Sequence, residues 1–171
     1  MGGIDKGLLV FEGKPLINHL IERIAPQVDQ LAISANRNLE RYRSFGYPVA
    51  NDELSDFQGP LAGIVAAGKT ATSELLLVVP CDTPKLPAKL CNNLLAALDG
   101  QGADIAIAHD GERSQQLCML LKRDLLGDME RYLVQGERRV ISWVESHHWI
   151  EVDFSSDRKA FSNINQLNLI D

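Results

Sequence analysis

Asp82 is the residue around which chemistry could be built. It follows an unbroken apolar run, Leu75-Leu76-Leu77-Val78-Val79, and sits in Pro80-Cys81-Asp82-Thr83-Pro84, where two prolines keep the chain out of a helix. A run of this length, rich in aliphatic and β-branched residues, predicts a strand buried on both faces at the centre of a sheet. In open α/β sheets ligands bind in the crevice outside the carboxyl ends of the strands. An acid there suits Mg²⁺, a hard ion that bridges one or two carboxylates to substrate phosphates. The same acid also suits a loop cap, and its position alone does not choose between the two.

Other polar groups fall where the same crevice could gather them. Gly2 and Gly3 open a loop whose backbone can approach a ligand closely, and Lys6 follows. Ser34 and Asn36 end the apolar segment Gln30-Leu31-Ala32-Ile33, and Asp52 ends Tyr47-Pro48-Val49-Ala50-Asn51. Taken singly, these are also a solvated lysine, a turn and a loop acid. Taken together, a glycine loop, a lysine and paired carboxylates are the parts that hold a nucleoside triphosphate with a metal and offset charge on its phosphates. Cys81 beside an acid could act as a nucleophile, but no histidine lies near it in sequence.

The elements that must position these groups alternate in type. Leu8 to Glu12 is a short strand candidate, with a turn at Gly13-Lys14-Pro15. Leu16, Ile17, Leu20, Ile21 and Ile24 share one helical face, and Pro26 ends that helix. A short helix through Leu39, Tyr42 and Phe45 precedes the strand at Tyr47. In Gly59-Pro60-Leu61-Ala62-Gly63 the proline suits the first turn of a helix reaching Lys69, and the glycines permit close packing. After Asp82, Pro87 opens a helix with Leu90, Leu94, Leu95 and Leu98 inward. The strands 104–109 and 116–121 are joined by Asp110-Gly111-Glu112-Arg113, a connection too short for a crossover and therefore antiparallel. Helices at 125–133 and from Gly136 through Val144 lead to the alternating strand 149–154. The expectation is a three-layer α/β/α fold with a mostly parallel twisted sheet and one late antiparallel strand.

At 171 residues with 45% hydrophobic content, the chain suits one domain with one sizeable core. A net charge of −6 argues against nucleic acid or an anionic membrane surface as partner, since both demand a basic face. No apolar run approaches the roughly 20 residues that cross a bilayer and no leader precedes the fold, so the expected location is the cytoplasm. Three cysteines without ligand spacing fit buried thiols better than disulfides or zinc.

The order of the motifs resembles one family. Met1-Gly2-Gly3-Ile4-Asp5-Lys6-Gly7-Leu8, Gly13-Lys14-Pro15-Leu16, Ile33-Ser34-Ala35-Asn36-Arg37, Gly59-Pro60-Leu61-Ala62-Gly63 and Pro80-Cys81-Asp82-Thr83-Pro84 are similar to the molybdenum cofactor guanylyltransferases. Asp110-Gly111-Glu112-Arg113, Gly136-Glu137-Arg138-Arg139-Val140 and Asn163-Ile164-Asn165 extend that resemblance over nearly the whole chain. It implies a Rossmann-like nucleotidyltransferase that uses Mg²⁺ to join GMP from GTP to molybdenum-carrying molybdopterin and releases pyrophosphate. By matching positions, Gly2, Gly3, Lys6, Ser34, Asp52 and Asp82 would belong to the nucleotide site. Lys6 and Asp82 would serve catalysis, Asp82 would bind the metal, and Arg138, Arg139, Asn163 and Asn165 would line the pterin side. Partners implied are GTP, molybdopterin, and the molybdoenzymes or chaperones that receive the cofactor. Family members carry a first strand and a Leu-Ala-Gly-Gly loop ahead of the motif that opens this chain. Residues 1–171 are therefore expected as a single nucleotidyltransferase domain, N-terminally incomplete. A related cytidylyltransferase, or a non-catalytic nucleotide- or pterin-binding protein, is the alternative.

Overall fold

The computed structural model describes residues 5–51 and 59–164. A 3₁₀ turn at Lys6–Leu8 leads into a small hairpin of β1 (Val10–Phe11) and β2 (Lys14–Pro15). The expected strand 8–12 is thus shorter. Its turn falls one residue early, at Glu12 and Gly13, both with positive φ (46° and 83°), as a two-residue hairpin requires. Helix α1 (Leu16–Ile24) has the predicted bounds and buries Leu16, Ile17, Leu20 and Ile24, the face its spacing defines.

Next come β3 (Ile33–Ser34), α2 (Leu39–Arg43) and β4 (Val49–Ala50), with β3 and β4 paired in parallel. Helix α3 (Pro60–Gly68) starts at the predicted proline. Strand β5 (Leu75–Val78) is followed by α4 (Leu90–Gln101), three residues later than Pro87. Gly102 ends α4 in the left-handed region (φ 61°), and Ala103 N–H donates back to Leu98 O at 3.1 Å. Strands β6 (Ile105–His109) and β7 (Ser114–Lys122) form the expected antiparallel hairpin. Helices α5 (Leu126–Val134) and α6 (Val140–Val144) then lead to β8 (Trp149–Asp153), which pairs in parallel with β6.

The largest sheet runs β5-β7-β6-β8. Strands β5, β6 and β8 share one direction and β7 opposes them, which is the α/β sheet with a late antiparallel strand. Side chains alternate between two cores, as a two-residue period dictates. Leu77, Ala106, Cys118 and Leu120 face α1 and α4, whereas Leu76, Ile105, Met119 and Leu121 face α3, α5 and α6. These are the three layers. Each fully buried aliphatic side chain contributes roughly 1.5–3 kcal/mol, and the buried indole of Trp143 places its one polar group on Asp128 (Nε1 to Oδ2, 3.2 Å).

One expectation is corrected. Leu75–Val78 packs one face on each core, with all four side chains half-buried, but among the described residues it pairs on one edge only, with β7. An apolar run reports that both faces of a strand touch protein, not that both edges are paired. Among the described residues, no helix is long and apolar enough to cross a membrane.

Candidate functional site

Asp82 emerges in the turn just past β5 and is 8% exposed. The turn is braced from within: Thr83 is fully buried and its hydroxyl donates to Pro80 O at 3.2 Å. Asp82 O accepts the N–H of Ile164 at 2.8 Å, which brings the C-terminal segment and Asn163 to the site. Asp82 Oδ2 accepts from Lys6 Nζ at 3.0 Å, a contact across 76 residues of sequence.

Lys6 is delivered by a turn fixed at its base. The Asp5 carboxylate accepts from Tyr42 OH at 2.5 Å and from Asn38 Nδ2 at 2.9 Å. Burial pushes the Tyr42 phenol up, and the hydrogen bond and negative charge of Asp5 push it further, so it remains a donor at any ordinary pH. Gly7 must be glycine here, because a Cβ at that position would stand 2.5 Å from Tyr42 OH. Sequence reasoning missed Asp5 and Tyr42. Their distance in the chain left no local signal.

Ser34 closes β3 on the surface, and a Cβ on Gly63 would come within 2.5 Å of its Oγ. The close approach expected of the glycines around Pro60 is therefore made between α3 and β3. Gly2, Gly3, Asp52 and Asn165 lie outside the described residues.

Beside Asp82 opens a hollow of about 710 Å³, bordered by Pro80, His109, Arg113, Gln116 and Asn163 among others. That is the size of a small-molecule site. Asn163 borders the hollow. Arg138 and Arg139 are not brought to the hollow: Arg138 Nη1 donates to Leu133 O (3.1 Å) and Glu137 O (2.8 Å) at the end of α5, and Arg139 O accepts from Tyr132 OH at 3.2 Å. His109, Arg113 and Gln116 were not singled out from sequence, although the Asp-Gly turn between two strands is a signal that the segment projects from the sheet.

The covalent reading of Cys81 does not survive. Burial pushes its thiol up to about 11, with the Asp82 and Asp5 carboxylates adding to the effect. A thiol held protonated at neutral pH is a poor nucleophile. Cys118, at the wall of the hollow, is pushed to about 12 by burial and by Asp82.

Among the described residues, no group of three or more His, Cys, Asp or Glu side chains gathers. Asp82 alone still fits Mg²⁺, because that ion takes one or two carboxylates and completes its shell with phosphate oxygens and water. The donor set is acceptor-only oxygen beside a lysine. It suits a phosphate-bearing substrate that brings its own ligands.

An acid at the carboxyl end of an α/β strand, a lysine from the first turn and a hollow of this size suit the class of nucleotidyltransferases. Solved structures share the fold. Molybdopterin-guanine dinucleotide biosynthesis protein A from Archaeoglobus fulgidus superposes with a TM-score of 0.78 at 21% identity, over 98% of this chain and 88% of that one. The bifunctional IspDF of Campylobacter jejuni gives 0.72 at 12% identity, over 94% and 47%.

The chain belongs to the MobA-like NTP transferase domain family, whose pattern residues 1–150 match. Relatives described as molybdenum cofactor guanylyltransferase include one from Shewanella loihica, 47% identical over 96% of this chain and 84% of its own length. Another, from Pasteurella multocida, is 46% identical over 100% and 89%.

Proposed function

We propose that this protein transfers GMP from GTP to molybdopterin carrying molybdenum, with Mg²⁺, giving the guanine dinucleotide and pyrophosphate. The observation that carries the reading is the pairing of Lys6 with Asp82, the acid that borders the 710 Å³ hollow. The names of its relatives supply the base and the acceptor. Both cores share one sheet, which supports a single nucleotidyltransferase domain. The cytoplasm, where the nucleotide is available, is the proposed location.

Attack of the acceptor's phosphate oxygen on the α-phosphorus of GTP forms one P–O bond as the bond to pyrophosphate breaks. Two anions must meet, so the barrier is electrostatic and positional. The bound Mg²⁺ would neutralise phosphate charge, held by Asp82. The Lys6 ammonium turns from Asp82 towards the triphosphate and offsets charge there. Asp82, fixed by Thr83 and Ile164, keeps its carboxylate aimed at the phosphates. The resemblance would assign Ser34, Gly2, Gly3 and Asp52 to the nucleotide and Asn163 to the acceptor.

The test is base preference. Protein with Mg²⁺ and molybdopterin is given GTP or CTP, and the dinucleotide formed is identified. Guanine dinucleotide from GTP is expected, with a raised GTP KM in Lys6→Ala. Product from CTP alone replaces the base, and binding without product from either replaces the enzyme with a binding protein.

A further inference from the structure

The β6–β7 turn at the hollow is braced by a buried acid. Asp110 is 7% exposed. Its Oδ1 accepts the N–H of Glu112 (2.8 Å) and of Arg113 (2.9 Å), and its Oδ2 accepts Gln115 Nε2 at 2.6 Å. Asp110 N–H in turn donates to Arg113 O at 3.1 Å. Gly111 takes φ 93° and lies so close to Ser155 that a Cβ would meet that side chain at 2.9 Å. Its N–H donates to His109 Nδ1 at 3.1 Å, which leaves the neutral ring's proton on Nε2.

Against this fixed backbone one side chain is held in readiness. Arg113 is 71% exposed, with its Nε 4.0 Å from Asp110 Oδ2. Among the described residues lining the hollow, Arg113 is the one Lys or Arg, with Lys6 paired to Asp82 outside the lining. The acids Asp82, Glu112 and Glu145 line the same space, so an anionic acceptor entering it meets mostly negative charge. Glu112 is engaged by Arg158, which leaves Arg113 unopposed by its neighbour. A guanidinium on a rigid turn matches a phosphate with two parallel N–H donors at small entropic cost.

We propose that the Asp110-braced turn is the acceptor wall of the site, with Arg113 the cation that takes the acceptor's phosphate and Asp110 a positioning residue behind it. This rests on the nucleotidyltransferase reading above. Stiffness is the point: an acceptor phosphate must be placed against the α-phosphorus to within a fraction of an ångström, and a hydrogen-bonded turn does so better than a free loop.

The experiment measures molybdopterin binding and two-substrate kinetics for wild type, Arg113→Ala, Arg113→Lys and Asp110→Asn. Arg113→Ala should raise the molybdopterin KM about tenfold or more and lower kcat at saturation, with GTP KM within about twofold. Arg113→Lys should recover part of the loss, and Asp110→Asn should show a smaller loss of the same kind. A molybdopterin KM unchanged in Arg113→Ala, or a GTP KM that rises equally, overturns the proposal. If Asp110→Asn does not fold, the Arg113 pair decides alone, since that side chain is exposed. Should wild type bind molybdopterin but form no product, the function proposed above fails, and the Arg113 effect on the binding constant still decides this one. Absence of molybdopterin binding in wild type overturns the acceptor wall even if GTP binds.

Discussion

The hairpin of β6 and β7 is buried through most of its length, whereas the parallel pair of β3 and β4 is two residues deep. Ile105, Ala106, Ile107 and Ala108 are fully buried, as are Met119 and Leu121, and both faces of the hairpin feed a core. In the other pair only Ile33 is buried, and Ser34 at its end lies on the surface. The side of the site that carries Lys6 and Ser34 is therefore held by separate contacts: Tyr42 on Asp5, Lys6 on Asp82, Gly63 under Ser34. The side that carries His109 and Arg113 is held by sheet. The difference teaches that one wall is part of the widest sheet, while the other joins the core through Ile33 and Tyr42 and adds a few polar contacts to a two-residue pairing.

The largest effect should come where the walls meet. Asp82→Ala should reduce guanylyl transfer by about a hundredfold to a thousandfold or more, with circular dichroism unchanged. Within the fold, Leu120→Ala should cost about 2–5 kcal/mol in urea unfolding and Val49→Ala less than about 1, because only the first empties a filled core position. Equal losses would erase the contrast between the walls. Gly7→Ala tests the contact-held side: its Cβ must displace Tyr42 OH, so a loss of about 1–3 kcal/mol is expected together with a raised GTP KM.

The smallest effect is a pH dependence on the sheet-held side. Burial pushes the Asp110 carboxyl up, but the amides of Arg113 and Glu112, the Gln115 side chain and the Arg113 charge outweigh it and hold it below the ordinary carboxylate value. A carboxyl lowered in the folded state stabilises above its unfolded value, roughly 3.9, and that stability is lost as pH falls through the folded value. The gap in stability between wild type and Asp110→Asn should hold from neutral pH to about 4 and close below it. A gap that is flat through the acid range would show that the brace is not ionic.

Much of this arrangement is legible in the sequence where one local signal is strong. The spacing of Leu16 to Ile24 gives α1 its observed ends, and the four-residue connection at Asp110 fixes the antiparallel hairpin. The bracketing of Asp82 by two prolines places it outside a strand end, where it is found beside the hollow. What the sequence hides is contact between distant segments. Nothing near Asp5 announces Tyr42, and nothing in Leu75–Val78 tells that among the described residues it pairs on one edge only. Arg138 illustrates the same limit: the resemblance implies a pterin contact, and in the fold its Nη1 donates to Leu133 O in the last turn of α5 and to Glu137 O just beyond it.

The measurement that bears most directly on the account is pyrophosphate release with GTP, molybdopterin and Mg²⁺, omitting each component in turn. Release that requires both substrates, and that Asp82→Ala abolishes while the protein stays folded, is the predicted result. Release that persists in Asp82→Ala, or that proceeds from GTP without molybdopterin, would contradict it.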